Sequence, residues 1–87
     1  MANDDGDKVR RSPKRTLMSV FEESVQVDRK LNFDGPDKLR PDSRYAIEEI
    51  AADHVVFRLI GDEVLVIPYS AIIALKVAPT ALTVRYR

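Results

Sequence analysis

Few side chains in this sequence are equipped for chemistry, and they are scattered. The one histidine, His54, follows Asp53 and precedes a run of β-forming residues. Tyr69 and Ser70 follow Pro68 in what reads as a tight turn. Arg58 interrupts an apolar stretch. An exposed tyrosine ring can stack on a nucleic-acid base, and such stacking is worth roughly 1–3 kcal/mol per base. A second reading of Tyr69 packs it against a neighbouring subunit. His54 also reads as a polar residue opening a strand. Arg58 reads as an apolar stem with a solvated head. Glu48 and Glu49 are adjacent, so on a regular strand they point to opposite faces and do not form a catalytic pair. There is no Ser-His-Asp set and no glycine-rich phosphate loop. With no cysteine and one histidine, no zinc site can be assembled from soft ligands. The expectation is a chain with no catalytic residues, no metal and no cofactor.

The elements that must carry these residues follow from pattern. Residues 1–15 read as a charged tail: three aspartates among Asn3 to Asp7, then Lys8, Arg10, Arg11, Lys14 and Arg15 around Ser12-Pro13. Such a segment cannot bury enough apolar surface to offset its ordering entropy. It is either a solvated terminus or a basic arm that touches an acidic partner. The domain proper spans 16–87. Leu17, Met18, Val20, Phe21, Val25, Val27 and Leu31 fall on one half of a helical wheel, which predicts a helix over Thr16–Leu31, with Ser12 and Pro13 as its start. Ser24 and Asp28 spoil that face. A helix stopping near Ser24 and followed by a short strand, Val25–Val27, fits as well. Asn32–Ser43 reads as a connector, punctuated by Asp34-Gly35-Pro36-Asp37 and Arg40-Pro41-Asp42-Ser43.

From Arg44 onward the chain reads as β. Tyr45–Ile50 loses its alternation at Glu48-Glu49, which predicts a bulge or sharp bend. His54–Ile60 is apolar enough to be covered on both faces. Gly61-Asp62 predicts a two-residue hairpin loop before Glu63–Ile67. Pro68–Ala71 predicts a single turn leading into Ile72–Val77. Thr80–Arg87 alternates, with Leu82, Val84 and Tyr86 on the buried face. The fold class is mainly β: an N-terminal helix, then a strongly bent antiparallel sheet of four or five strands that closes into a small barrel.

Composition bounds the partners. The chain has 87 residues, with 14 basic and 14 acidic side chains, so no overall basic footprint for nucleic acid exists. No apolar run approaches the roughly 18 residues of a membrane span. The polar start is unlike a signal peptide, which makes the cytoplasm the expected location. A chain this short buries only about 60% of its unfolded surface. Without disulfides or metal, self-association is the remaining source of extra burial.

Tyr45–Val77 resembles the Sm-like (LSm) small barrel. The closest feature is Val64-Leu-Val-Ile-Pro-Tyr-Ser-Ala-Ile-Ile-Ala-Leu75. Ile67 and Ile72 stand at the two apolar positions of that family's second motif, and Ala71-Ile72 resembles the Ala-Ile pair of the bacterial host-factor version. Ile47–Leu59 is similar to the family's second and third strands, with Asp53 at the turn between them. The resemblance implies a homo-oligomeric ring in which the fourth strand of one copy pairs with the fifth of the next. Val64, Leu65, Val66, Ile67, Ile72, Ile73, Leu75 and Val77 would form that interface. It also implies RNA as a partner. Here Pro68-Tyr69 replaces the family's Arg-Gly, Tyr69-Ser70 replaces the host-factor Lys-His, and Asp53-His54 lacks the family's asparagine. RNA contact would therefore rest on Asp53, His54, Arg58, Tyr69 and Ser70, with the basic tail. Two other readings stand beside it. One is a structural or protein-interaction module on the same ring scaffold without nucleic acid. The other is a monomeric SH3-like adaptor.

Overall fold

The computed structural model describes residues 16–87. The charged tail and the Ser12-Pro13 helix start lie outside them. The domain is mainly β, with one α-helix, one 3₁₀ turn and six strands. In chain order these are α1 (Leu17–Gln26), β1 (Lys30–Asp34), β2 (Ala46–Ile50), β3 (His54–Arg58), β4 (Val64–Pro68), the 3₁₀ turn Tyr69–Ala71, β5 (Ile72–Val77) and β6 (Ala81–Tyr86). They form two three-stranded sheets, ordered β1-β6-β5 and β2-β3-β4. Six strands in two sheets, with one parallel pair and no closed barrel among the described residues, thus stand where four or five antiparallel strands closing into one small barrel were expected. Among the described residues no helix is long and apolar enough to cross a membrane.

Helix α1 is set by its ends. Thr16 is the N-cap: its hydroxyl accepts the Ser19 N–H, and the Ser19 hydroxyl accepts the Thr16 N–H, each at 3.0 Å. The helix ends at Gln26, short of Leu31, because Asp28 takes a left-handed conformation with φ of 57°. The Asp28 N–H then donates to the Val25 carbonyl and the Arg29 N–H to the Ser24 carbonyl. This is a Schellman termination with aspartate in the place glycine usually fills. The buried face is Val20, Phe21 and Ser24. Val25 and Val27, expected on the apolar face or in a short strand, are instead exposed at the helix end. Arg29 fastens this corner. Its side chain is 10% exposed, with Nε donating to the Ala78 carbonyl and Nη1 to Glu23 and Ser24.

The connector begins later than expected, because Lys30–Asp34 is a strand. It pairs in parallel with β6, with Leu31 opposite Leu82 and Phe33 opposite Val84. β6 is therefore the centre of its sheet, flanked by β1 and antiparallel β5. Pairing between sequence neighbours holds for β2-β3, β3-β4 and β5-β6, but β4 and β5 do not pair. The bulge at Glu48-Glu49 is present: the β2–β3 register shifts between Ile47 and Glu49. β3 buries Val55 and Phe57 completely and leaves Arg58 exposed, so it has one core face rather than two covered ones. Its hairpin to β4 is one residue longer than expected. Leu59 N–H bonds the Glu63 carbonyl, which leaves Ile60, Gly61 and Asp62 in the loop. Gly61 and Asp62 both have positive φ, which glycine adopts freely.

The core is Val20, Phe21, Leu31, Tyr45, Val55, Phe57, Ile67, Leu82, Val84 and Tyr86. All three phenylalanines and all three tyrosines join one network. Phe57 packs edge-on against Phe21 at 5.7 Å and Phe33 at 4.9 Å. Phe33 extends the network to Tyr45 and Tyr86, and Phe21 to Tyr69. Two phenols are also tied to the connector: Tyr45 donates to the Arg40 carbonyl and Tyr86 to Asp37.

The connector carries its own acid-sensitive lock. Asp42 accepts the Arg44 N–H at 2.8 Å and the guanidinium at 2.8 and 3.0 Å. These bonds hold the Asp42 carboxyl down at about 2. An unfolded aspartate titrates near 3.9. The folded value is the lower one, so this contribution to stability is present above pH ~4 and is lost as pH falls through about 2. Asp42→Asn should flatten the acid limb of stability between those limits in urea titrations followed by circular dichroism. An unchanged acid limb would rule out this assignment.

Candidate assembly edges and the loop end of the sheet

Two three-stranded sheets have four edge strands, β1, β2, β4 and β5. They are not alike. The β2 edge carries a bulge and two exposed glutamates, with Glu48 bonded to Arg58 at 2.7 Å. The β1 edge begins with exposed Lys30 and ends with exposed Asp34. Bulges and charges of this kind discourage edge-to-edge pairing. β4 and β5 carry less charge, although β5 also has a register shift, between Ile72 and Ala74. Val64 and Val66 on β4 are 58% and 54% exposed, and Ile73 and Val77 on β5 are 51% and 38% exposed. The only charge on either strand is Lys76.

The eight residues expected at an interface therefore divide. Val64, Val66, Ile73 and Val77 present apolar surface. Leu65, Ile72 and Leu75 are half-buried and pack on the core. Ile67 is 2% exposed, so its side chain belongs to the core and not to an edge surface. The cause is strand alternation: Ile67 is opposite Val55 on the inward face of β3.

The five residues expected to touch RNA divide as well. Four converge at one end of the β2-β3-β4 sheet. The Asp53 carbonyl accepts the Tyr69 N–H at 3.0 Å, and the Ala51 carbonyl accepts the Tyr69 hydroxyl at 2.6 Å. The Ser70 carbonyl accepts from the Arg87 guanidinium at 3.0 Å. His54 Nδ1 lies 2.7 Å from Asp53 Oδ1. That contact, with the charge of the imidazole when protonated, holds the fully exposed Asp53 carboxyl below its usual range. Arg58 is elsewhere. It lies four residues along β3 from His54, about 13 Å at strand rise, and pairs with Glu48.

Tyr69 is turned inward. Its ring stacks on Phe21 at 6.2 Å and its hydroxyl is bonded within the fold. Burial pushes its phenol above the ordinary range, and the negative charges of Asp53 and Glu22 add to that. The proline before it and the 3₁₀ geometry after it swing the chain from one sheet to the other. Tyr69 thus ties the β2–β3 turn to the β4–β5 hinge. Ile67, two residues before it and buried, was the available sequence signal for this. Two clefts, of about 130 and 220 Å³, flank β1, one beside α1 and the other beside residues 41–43. Both are smaller than the usual small-molecule site. Among the described residues no group of three or more histidine, aspartate or glutamate side chains is placed to hold a metal.

No family model, no curated protein and no solved structure matches this chain.

Proposed function

We propose that this domain is a non-catalytic, Sm-like assembly module whose copies join one another through strand edges. The observation that carries the reading is the contrast among the four edges. β1 and β2 are guarded by charged residues, while β4 and β5 present exposed valine and isoleucine on edges that pair with no other described strand, β5 with a register shift of its own between Ile72 and Ala74. A core of ten buried hydrophobic residues is small, and further burial between copies would add to it. The hinge at Tyr69–Ala71 sets the two edges in adjacent positions of the chain. Which edge meets which decides the architecture. β4 against β5 is a head-to-tail contact, which makes a ring when the rotation between copies closes and a filament when it does not, whereas like against like gives two-fold contacts. Sedimentation or native mass spectrometry of the full chain should show a discrete oligomer. A monomer at high micromolar concentration overturns the proposal.

RNA binding is the second reading. The convergence of Asp53, His54 and Ser70 at one end of the sheet favours it. Weighing against it, Tyr69 is committed to the fold, Arg58 lies at the far end of β3, and residues 16–87 carry nine basic against eleven acidic side chains. Filter binding of oligo-U and oligo-A at low salt tests it, with removal of residues 1–15 reporting the part played by the basic tail.

A further inference from the structure

The hydrogen-bond parity of β4 points to a particular partner. In an antiparallel pair, residues alternate between those bonded across the ladder and those whose main-chain groups point away. Leu59 N–H bonds the Glu63 carbonyl at one end of the β3–β4 hairpin, and Tyr69 N–H bonds the Asp53 carbonyl at the other. Both lie in the same register as Val55 opposite Ile67 and Phe57 opposite Leu65. The main chains of Leu65 and Ile67 are therefore spent on β3. Those of Val64 and Val66 point off the free edge. Pro68 is next in that series and has no N–H, which ends the usable edge.

We infer that the occupant of this edge is β4 of a second copy, antiparallel and related by a two-fold axis at Leu65. This inference rests on the self-assembly reading and goes beyond it by fixing the contact. In that register Val64 of each copy faces Val66 of the other, and every free N–H and C=O of the two valines is paired. A shift centring the axis on Val66 would set Val64 against Pro68 and leave a carbonyl without a donor. The side chains agree with the backbone. Val64 and Val66 are the two exposed valines of β4, and on the same outward face Val56 is opposite Val66. The two-fold contact joins these valines into one apolar band across a continuous six-stranded sheet. Cross-strand pairs of this kind are the unit of sheet stabilisation.

The β5 edge fits β4 less well. Ala78 and Ala81 exchange main-chain bonds, so by the same alternation Leu75 and Val77 point off the β5 edge. Leu75 and Val77 are opposite Val84 and Leu82, and so face the core side of their sheet. Antiparallel pairing of β4 with β5 would set the solvent face of one sheet flush with the core face of the next. A register shift between Ile72 and Ala74 also interrupts that edge.

Leu65→Cys is the direct test, because the chain has no cysteine of its own. At the axis the two Cβ atoms would stand roughly 4.5 Å apart, within reach of a disulfide. Mild oxidation should convert most of this variant to a covalent dimer, while Val77→Cys stays uncrosslinked. Val66→Lys, at an exposed position, should keep the native circular dichroism and weaken association at least about tenfold. Val77→Lys should leave association unchanged. An oligomer that both lysine variants dissociate, and that re-forms as a dimer when they are mixed, overturns the two-fold contact and leaves self-assembly standing. A monomeric wild-type chain overturns both.

Discussion

Phe57→Ala should cost about 3–5 kcal/mol and leave much of the protein unfolded at room temperature. Phe57 is fully buried and sits at the centre of the aromatic network, between Phe21 of the helix and Phe33 of β1. Its ring is the one that touches both the helix layer and the β1-β6-β5 sheet while standing on the β2-β3-β4 sheet. Removing it opens a cavity where three elements meet, so collapse of any one cannot fill it. Domains have total stabilities of only about 5–15 kcal/mol, and the smallest sit at the low end. Urea unfolding followed by circular dichroism measures the effect. Phe57→Leu, which keeps most of the volume, should cost less than about 1.5 kcal/mol. Equal losses for the two variants would show that the ring packing is not what matters at this position.

The second large effect is expected at Gly35. A Cβ there would fall among the ring atoms of Tyr86, nearest Cε1 and Cζ. Tyr86 cannot swing clear easily. Its ring is 6% exposed and its hydroxyl donates to Asp37 at 2.6 Å. Gly35→Ala should therefore cost about 3 kcal/mol, the upper part of the range for overpacking, with the phenol bond strained as well. A double-mutant cycle separates this clash from a general effect of alanine on the turn. In a Tyr86→Leu background the added methyl should cost less than about 0.5 kcal/mol. The same cost in both backgrounds would refute the clash.

Much of this fold is written locally. The alternation of Leu82, Val84 and Tyr86 marks the buried face of β6, and all three are core residues. Pro68 marks the hinge, and the adjacent glutamates mark the bulge. What escapes local reading is set by partners distant in sequence or by a single dihedral. Lys30–Asp34 contains only two apolar residues, and it is a strand because β6 offers Leu82 and Val84 opposite them. The helix end is fixed by Asp28 in a left-handed conformation, where a glycine would have announced it. The same limit applies to the loop-end residues. The turn containing Tyr69 is legible, but the inward direction of its ring depends on Phe21, a helix residue. The free edges are legible as apolar strands. Their parity is not, since one residue of register decides which main-chain groups face outward.

The parallel pairing of β1 with β6 has a consequence for how the chain is made. Lys30 meets Ala81 and Asp34 meets Arg85, so the two partners are separated by 51 residues of an 87-residue chain (81 less 30, and 85 less 34). Closure over such a span comes late, because its entropy must be met before the contact rewards it. The β2-β3-β4 meander is local and can form while the chain is still being synthesised. β1 cannot pair until β6 has been made, since among the described residues β6 is its only sheet neighbour. Until then Leu31 and Phe33 have no strand to cover them, and β5 has no partner at all. Assembly of the second sheet thus waits on β6, and the chain is most exposed to aggregation just before that strand is in place.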